Sequence, residues 1–233
     1  MKTIRKKIIE FFILIASFLF SKRKYNSTKD KKMANLGCGL HCIPGWINID
    51  GSLTALLGSR RFNFINKILY KLAGSSQFYS FDQFNKIIKE CDLKFYNLRK
   101  GVPLGDGSAD FIFISHFLEH IGKADGKNFL KECLRSLKKG GVLRIAVPDL
   151  DIAFEYYKRG EVEKMLDFFF YTSENWDFSA HKYSYNFDLL KQYLEEVGFS
   201  KIEKKSYQNG ECPDIEFLDV YPEHSLYVEC KKL

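Results

Sequence analysis

Long apolar runs, paired cysteines and repeats are what this sequence lacks, and each absence excludes a class. The longest apolar run, Ile8–Phe20, is broken by Glu10. Its thirteen residues reach about 20 Å as a helix, short of the roughly 30 Å of hydrocarbon that a spanning segment must cross. No small-x-small cleavage site follows it before Lys22, which argues against a secretory leader. Six cysteines are scattered without a Cys-x-x-Cys pair, so a zinc site made of them is not expected, and reduced thiols in cytosol are. No internal repeat, low-complexity tract or RNA-binding signature is present. Nucleic acid is therefore not an expected partner, although the net charge is +7. Dispersed lysines solvate a surface as readily as they bind anions.

What is present suits a packed domain. The chain has 233 residues, 45% of them hydrophobic, with 22 Phe and 13 Tyr, ample for an α/β core. Residues 1–28 read as an apolar, basic-flanked helix and linker, with residues 1–24 a candidate for peripheral contact with the inner face of a membrane or for packing on the domain or on a twin subunit. Residues 29–233 read as one domain carrying an inserted helical segment at about 53–92. In that insertion Phe62, Ile65, Ile68, Leu69 and Leu72 recur at helical spacing, with Arg60, Arg61, Lys67 and Lys71 interspersed. It suits a substrate lid, a membrane-facing helix or a peripheral core helix equally.

The stretch Met33–Gly51 organises the rest. A short strand over 33–36 runs into Gly37-Cys38-Gly39, where two residues without Cβ atoms let a ligand approach the main chain. A second strand ends on Asp50, a carboxylate suited to ribose hydroxyls. A dinucleotide fingerprint would have a third glycine and a helix N-terminus for pyrophosphate; here Cys42 occupies the glycine's place and Pro44-Gly45 interrupts any helix.

Further strands are predicted over 93–96, 110–115 and 142–147. Helices are predicted from a cap at Asp125 to Gly140-Gly141, and over 187–197 between Asn186 and Gly198. The segment 150–178 is helical and rich in aromatics, including Tyr156, Phe168, Tyr171, Trp176 and Phe178. The runs 200–207 and 225–230 are predicted to form an antiparallel edge pair. After the strand ending at Ser115, His116, Glu119 and His120 share one face of a helical turn. Histidine suits proton removal near neutral pH, which makes His120 and His116 candidate bases, with Asp149 and His181 from neighbouring loops.

Five blocks, NLGCGLHCIPGWINID (35–50), NLRKGVPLGDGSADFIFISHFLEHI (97–121), FLKECLRSLKKGGVLRIAVPDL (129–150), HKYSYNFDLLKQYLEEVGF (181–199) and HSLYVEC (224–230), together resemble class I S-adenosylmethionine-dependent methyltransferases. Within that class they resemble the methyltransferase-11-like group, often associated with cell-surface polysaccharide clusters. The resemblance implies a Rossmann-like α/β fold, a mostly parallel twisted sheet with an antiparallel C-terminal edge strand and helices on both faces. It implies S-adenosyl-L-methionine as cofactor, held by Asn35, Gly37, Cys38, Gly39, Asp50, Asn97, Leu98 and His116. Asn97 stands where an acid is common in the related pattern. The acceptor implied is a saccharide, lipid-linked precursor or other small molecule, methylated on oxygen in the cytoplasm, with possible membrane association. The competing readings are a cofactor-binding but idle module that partners a glycosyltransferase, and a nucleotide-sugar or dinucleotide enzyme, against which the missing third glycine stands. His-x-x-Glu-His also resembles the metal motif of certain magnesium-dependent methyltransferases, which keeps His116, Glu119, His120 and His181 open as a metal set beside a purely structural role.

Overall fold

The computed structural model describes residues 2–26, 31–58, 62–170 and 180–233. Seven strands form one sheet: β1 Met33–Leu36, β2 Ile47–Asp50, β3 Asp92–Phe95, β4 Ala109–Ser115, β5 Leu137–Pro148, β6 Ser200–Lys205 and β7 Ser225–Lys231, in the order β3-β2-β1-β4-β5-β7-β6. β3, β2, β1, β4 and β5 are parallel, and β7 runs antiparallel to both β5 and β6. The expected fold class is the one observed. The centre of β4, Ile112–Ile114, is an unbroken apolar run and is wholly buried, as expected of a strand covered on both faces.

From β1 the chain winds outward to β2 and β3, then returns to the other side of β1 with β4 and β5. The strand order therefore reverses between β1 and β4, where open α/β sheets leave a crevice at their carboxyl ends. Gly37 follows β1 at that crevice and His116 follows β4.

The described helices are α1 Lys2–Leu19, α2 Leu53–Leu57, α3 Asn63–Leu72, α4 Phe81–Glu90, α5 Lys123–Ser136, α6 Leu150–Lys158, α7 Val162–Phe170, α8 Phe187–Val197 and α9 Ile215–Leu218. α8 has the expected caps: the Asn186 side chain accepts from Leu189 N–H, and Gly198 ends it in the left-handed region at φ 109°. α5 departs from expectation at both ends. Gly122 is its N-cap, so Asp125 lies in the first turn and favours the helix through its charge. The helix stops at Ser136 because Leu137 turns extended and pairs with Ala109, while Lys138 reaches back to Asp110.

The insertion forms a helical annex with its own small core, in which Leu53, Leu69, Phe84 and Ile88 pack with Ile9 of α1. The inward position of α3 is taken by Asn66, bonded to Asn85 at 2.8 Å, whereas Ile68 and Phe62 face solvent. Arg60 and Arg61, Lys29 in the linker, and the aromatics Tyr171, Trp176 and Phe178 lie outside the described residues.

Candidate functional site

The glycine turn is built by main-chain bonds. Gly37 N–H donates to the Ile49 carbonyl at 2.8 Å, tying the loop after β1 to β2. Pro44-Gly45 keeps the β1–β2 connection free of helix. Gly37 and Gly39 both have positive φ, 71° and 53°. Their surroundings differ. A Cβ on Gly37 would lie 2.5 Å from Phe117 Cγ, so the close approach there serves the protein's own ring. A Cβ on Gly39 would meet nothing within 4 Å, which leaves a bare backbone face for a ligand. Asp50 closes the turn: Oδ2 accepts from Gly39 N–H at 2.9 Å and Oδ1 from Ser52 N–H at 2.7 Å. The half-buried carboxylate keeps acceptor capacity on each oxygen.

Three of the expected cofactor residues turn away from this face. Asn35 is buried and its Nδ2 donates to His41 O and Asn48 Oδ1, so it braces the loop. Cys38 is buried with Sγ 3.7 Å from Cys42 Sγ, and burial pushes its thiol pKa up. Leu98 is buried in the main core. Asn97 remains half-buried at the end of β3, its Oδ1 accepting from Arg99 N–H at 3.2 Å. Gly39, Asp50 and Asn97 are thus the ones left with a bare backbone or a half-exposed acceptor.

Beside this face, a cavity of about 680 Å³ opens over the carboxyl ends of β4 and β5. His116, His120, His181 and His224 all line it, four of the chain's five histidines. Glu119, Asp167, Glu223 and Lys164 add charge, and Tyr156, Phe168 and Tyr221 add rings. Of these, Lys164, Asp167, Tyr221, Glu223 and His224 are not singled out by the sequence, where the one signal is a histidine one residue ahead of the last strand.

Glu119 is the centre of the histidine group. It is 1% exposed, and neither carboxylate oxygen receives a hydrogen bond of normal geometry, although His116 Nδ1 lies 3.3 Å and His120 Nε2 3.9 Å from Oε1. Its carbonyl accepts from Lys182 and Tyr183 N–H, which draws His181 into place. The His120 and His181 rings are 5.1 Å apart. Burial holds the His120 pKa below the ordinary histidine value, partly offset by the charge of Glu119, so its neutral form is favoured.

Two of the candidate bases have partners of their own. His116, held at φ 48°, spans Ser225 Oγ (2.9 Å) and Glu119 with its two ring nitrogens, so it is placed to brace the cavity. Among the described residues the group able to share an ion is Glu119, His120 and His181, without His116. Asp149 is buried, caps α6 through Asp151 N–H and pairs with Lys204, and it does not line the cavity. Its carboxylate is thus engaged with α6 and β6.

Residues 68–145, about a third of the chain, match the profile of a family described as a methyltransferase domain. The matched part runs from α3 into β5 and excludes the glycine turn. No curated protein matches the chain. Among solved structures, PigF with SAH superposes at a TM-score of 0.51 and 14% identity, over 98% of this chain and 58% of that one. S-adenosylmethionine-dependent methyltransferases from Thermotoga maritima (TM-score 0.47, 15% identity, 88% of this chain and 83% of that one) and Archaeoglobus fulgidus (0.45, 15%, 100% and 95%) are also similar. At these identities the likeness is one of fold. The fold is the Rossmann-like fold of class I methyltransferases. The matched segment is that of a methyltransferase domain, and over the rest of the chain the likeness is one of fold alone.

Proposed function

We propose that the protein transfers a methyl group from S-adenosylmethionine to a hydroxyl of a small polar acceptor, a saccharide or lipid-linked precursor, held in the cavity over β4 and β5. The observation that carries this is the packing of Phe117 on Gly37, which sets the bare, acid-flanked glycine turn against the loop whose His116 and His120 line the cavity, where the strand order reverses. Rings interleaved with Lys164, Asp167 and Glu223 suit a ligand that is apolar on its faces and hydroxylated at its edges.

Bound against Gly39, Asp50 and Asn97, the cofactor supplies an electrophilic methyl group. The chain's part is alignment and proton removal. His120 Nδ1 lies 3.4 Å from the Ala180 carbonyl, so that nitrogen carries the hydrogen and Nε2 is basic. Nε2 takes the acceptor's hydroxyl proton, and Glu119 steadies the imidazolium that results. Turnover with a panel of hydroxylated saccharides, read as S-adenosylhomocysteine release, tests the reading; no release with any oxygen acceptor, despite cofactor binding, refutes it.

A second reading is favoured by one observation, the buried carboxylate of Glu119 without a hydrogen bond. Glu119, His120 and His181 each place one ligand atom within 4.8 Å of the others, a carboxylate and two imidazoles that suit a divalent transition metal. His181 Nδ1 meets the Phe168 carbonyl, the outer contact that orients a metal-binding histidine. In this reading Glu119, His120 and His181 would hold the ion, which would supply Lewis acidity toward the acceptor hydroxyl in place of proton removal by His120.

A further inference from the structure

α1 has two faces of unlike surroundings. Ile9, Ala16 and Ser17 are buried against the annex and the domain, and Lys100 Nζ donates to the Ser17 carbonyl. The opposite face carries Phe11, Phe12, Leu14, Ile15, Phe18 and Leu19, all exposed, Phe18 by 76% and Leu19 by 67%. At 100° per residue these six cover a continuous band of roughly 160°, and Lys7 is the charged residue inside it. A soluble helix docked on its own domain turns such a band inward; this one turns it to solvent.

Charge indicates what covers the band. Lys7 at one end and Lys22, Arg23 and Lys24 at the other are exposed, and the sequence adds Lys2, Arg5 and Lys6. Arg23 lies over the Phe20 ring at 3.7 Å, an apolar body with a cationic tip. Among the described residues no helix is long and apolar enough to cross a membrane. A second copy of the chain would bring the same cations together, whereas an anionic bilayer pairs them with lipid phosphates while its acyl chains take up the rings. We infer that α1 is an in-plane anchor whose outer face inserts into the headgroup boundary of an anionic membrane. The domain then rides on the surface, and α3 of the same annex, with Phe64 and Ile68 exposed beside Lys67, adds apolar area to it.

The test is co-sedimentation of the full chain with vesicles of phosphatidylcholine alone and of phosphatidylcholine mixed with phosphatidylglycerol. The inference predicts binding to the anionic vesicles that is about tenfold stronger and is released by salt. The outward-face variant Phe11→Ser/Phe18→Ser and the charge variant Lys22→Glu/Lys24→Glu each lower it about tenfold, while Phe217→Ser, an exposed ring on α9, leaves it unchanged. Equal melting temperatures show that the variants fold, and the salt titration of the unaltered chain needs no variant. A chain that stays in the supernatant, or that binds both vesicles alike, overturns the inference. So does a dimer in lipid-free ultracentrifugation that Phe11→Ser/Phe18→Ser dissolves, which assigns the face to a second copy.

Discussion

The ring of Phe117 covers Gly37, so the turn that follows β1 and the loop that follows β4 are in contact across the point where the sheet order reverses. This contact joins the cofactor face to the cavity. It also separates the two glycines in their consequences. Gly37→Ala forces a Cβ to within 2.5–2.6 Å of Phe117 Cβ and Cγ at a φ of 71°, and is expected to cost about 2–4 kcal/mol of stability. Gly39→Ala meets no atom and is expected to cost about 1 kcal/mol, from its positive φ alone, while weakening cofactor binding. Denaturant melts and cofactor titrations on both variants check the contrast.

Asp50 accepts two main-chain N–H groups at the glycine turn, and the proposed function gives it the ribose. Asp50→Ala opens the turn and removes the carboxylate, so S-adenosylhomocysteine is expected to bind more weakly by about 1–3 kcal/mol. Calorimetry reads this directly, and unaltered affinity removes Asp50 from the site.

The base and metal readings part at His120. If His120 is the base, His120→Gln lowers kcat by about 10²–10⁴-fold with KM little changed, and a chelator has no effect. If Glu119, His120 and His181 hold a metal, stoichiometric divalent ion is found in chelator-free protein, and Glu119→Gln and His181→Ala lose it as fully as His120→Gln does. Elemental analysis alongside kinetics of the same preparations decides.

Away from the site, Arg144 lies wholly buried in β5. Its Nε and Nη2 donate to Asp219 at 2.9 and 2.5 Å, and its Nη1 to Glu229 at 3.0 Å. Asp219 also accepts from Gln208 N–H, and Glu229 from Glu211 and Cys212 N–H, so the ions hold the 206–212 loop against β7. Gly210 packs so closely that a Cβ would lie 2.2 Å from Glu229 Oε1. Asp219→Ala strands a buried guanidinium and is expected to cost about 3–5 kcal/mol, whereas exposed Lys158→Ala, which loses only its pair with Glu155, costs under about 1 kcal/mol. Urea melts compare the two.

Much of this architecture is legible in the residues. Continuous apolar runs locate the central strands because burial on both faces leaves no polar alternation, and Asn186 with Gly198 marks α8 to the residue because caps are local chemistry. His116, Glu119 and His120 do come together at the cavity, but through a left-handed His116 and a 3-10 turn over Leu118–His120 and not along one face of a helix. Features set by distant pairing are not legible. Asn66 takes an inward position that periodicity assigns to Ile68, since only the fold supplies Asn85 as its partner. Arg144 reads as an exception in an apolar strand until Asp219 and Glu229, far along the chain, are brought to it. Asp149 looks available in the sequence and is occupied by Asp151 and Lys204. Tyr221, Glu223 and His224 reach the cavity only because β7 inserts beside β5.

The most direct measurement is calorimetric titration of the intact chain with S-adenosylhomocysteine and, separately, with NAD. One-to-one binding of S-adenosylhomocysteine, weakened by Gly39→Ala and Asp50→Ala, with no heat from NAD, is the predicted result. Absence of S-adenosylhomocysteine binding, or NAD bound at the same turn, contradicts the assignment of this site to methyl transfer.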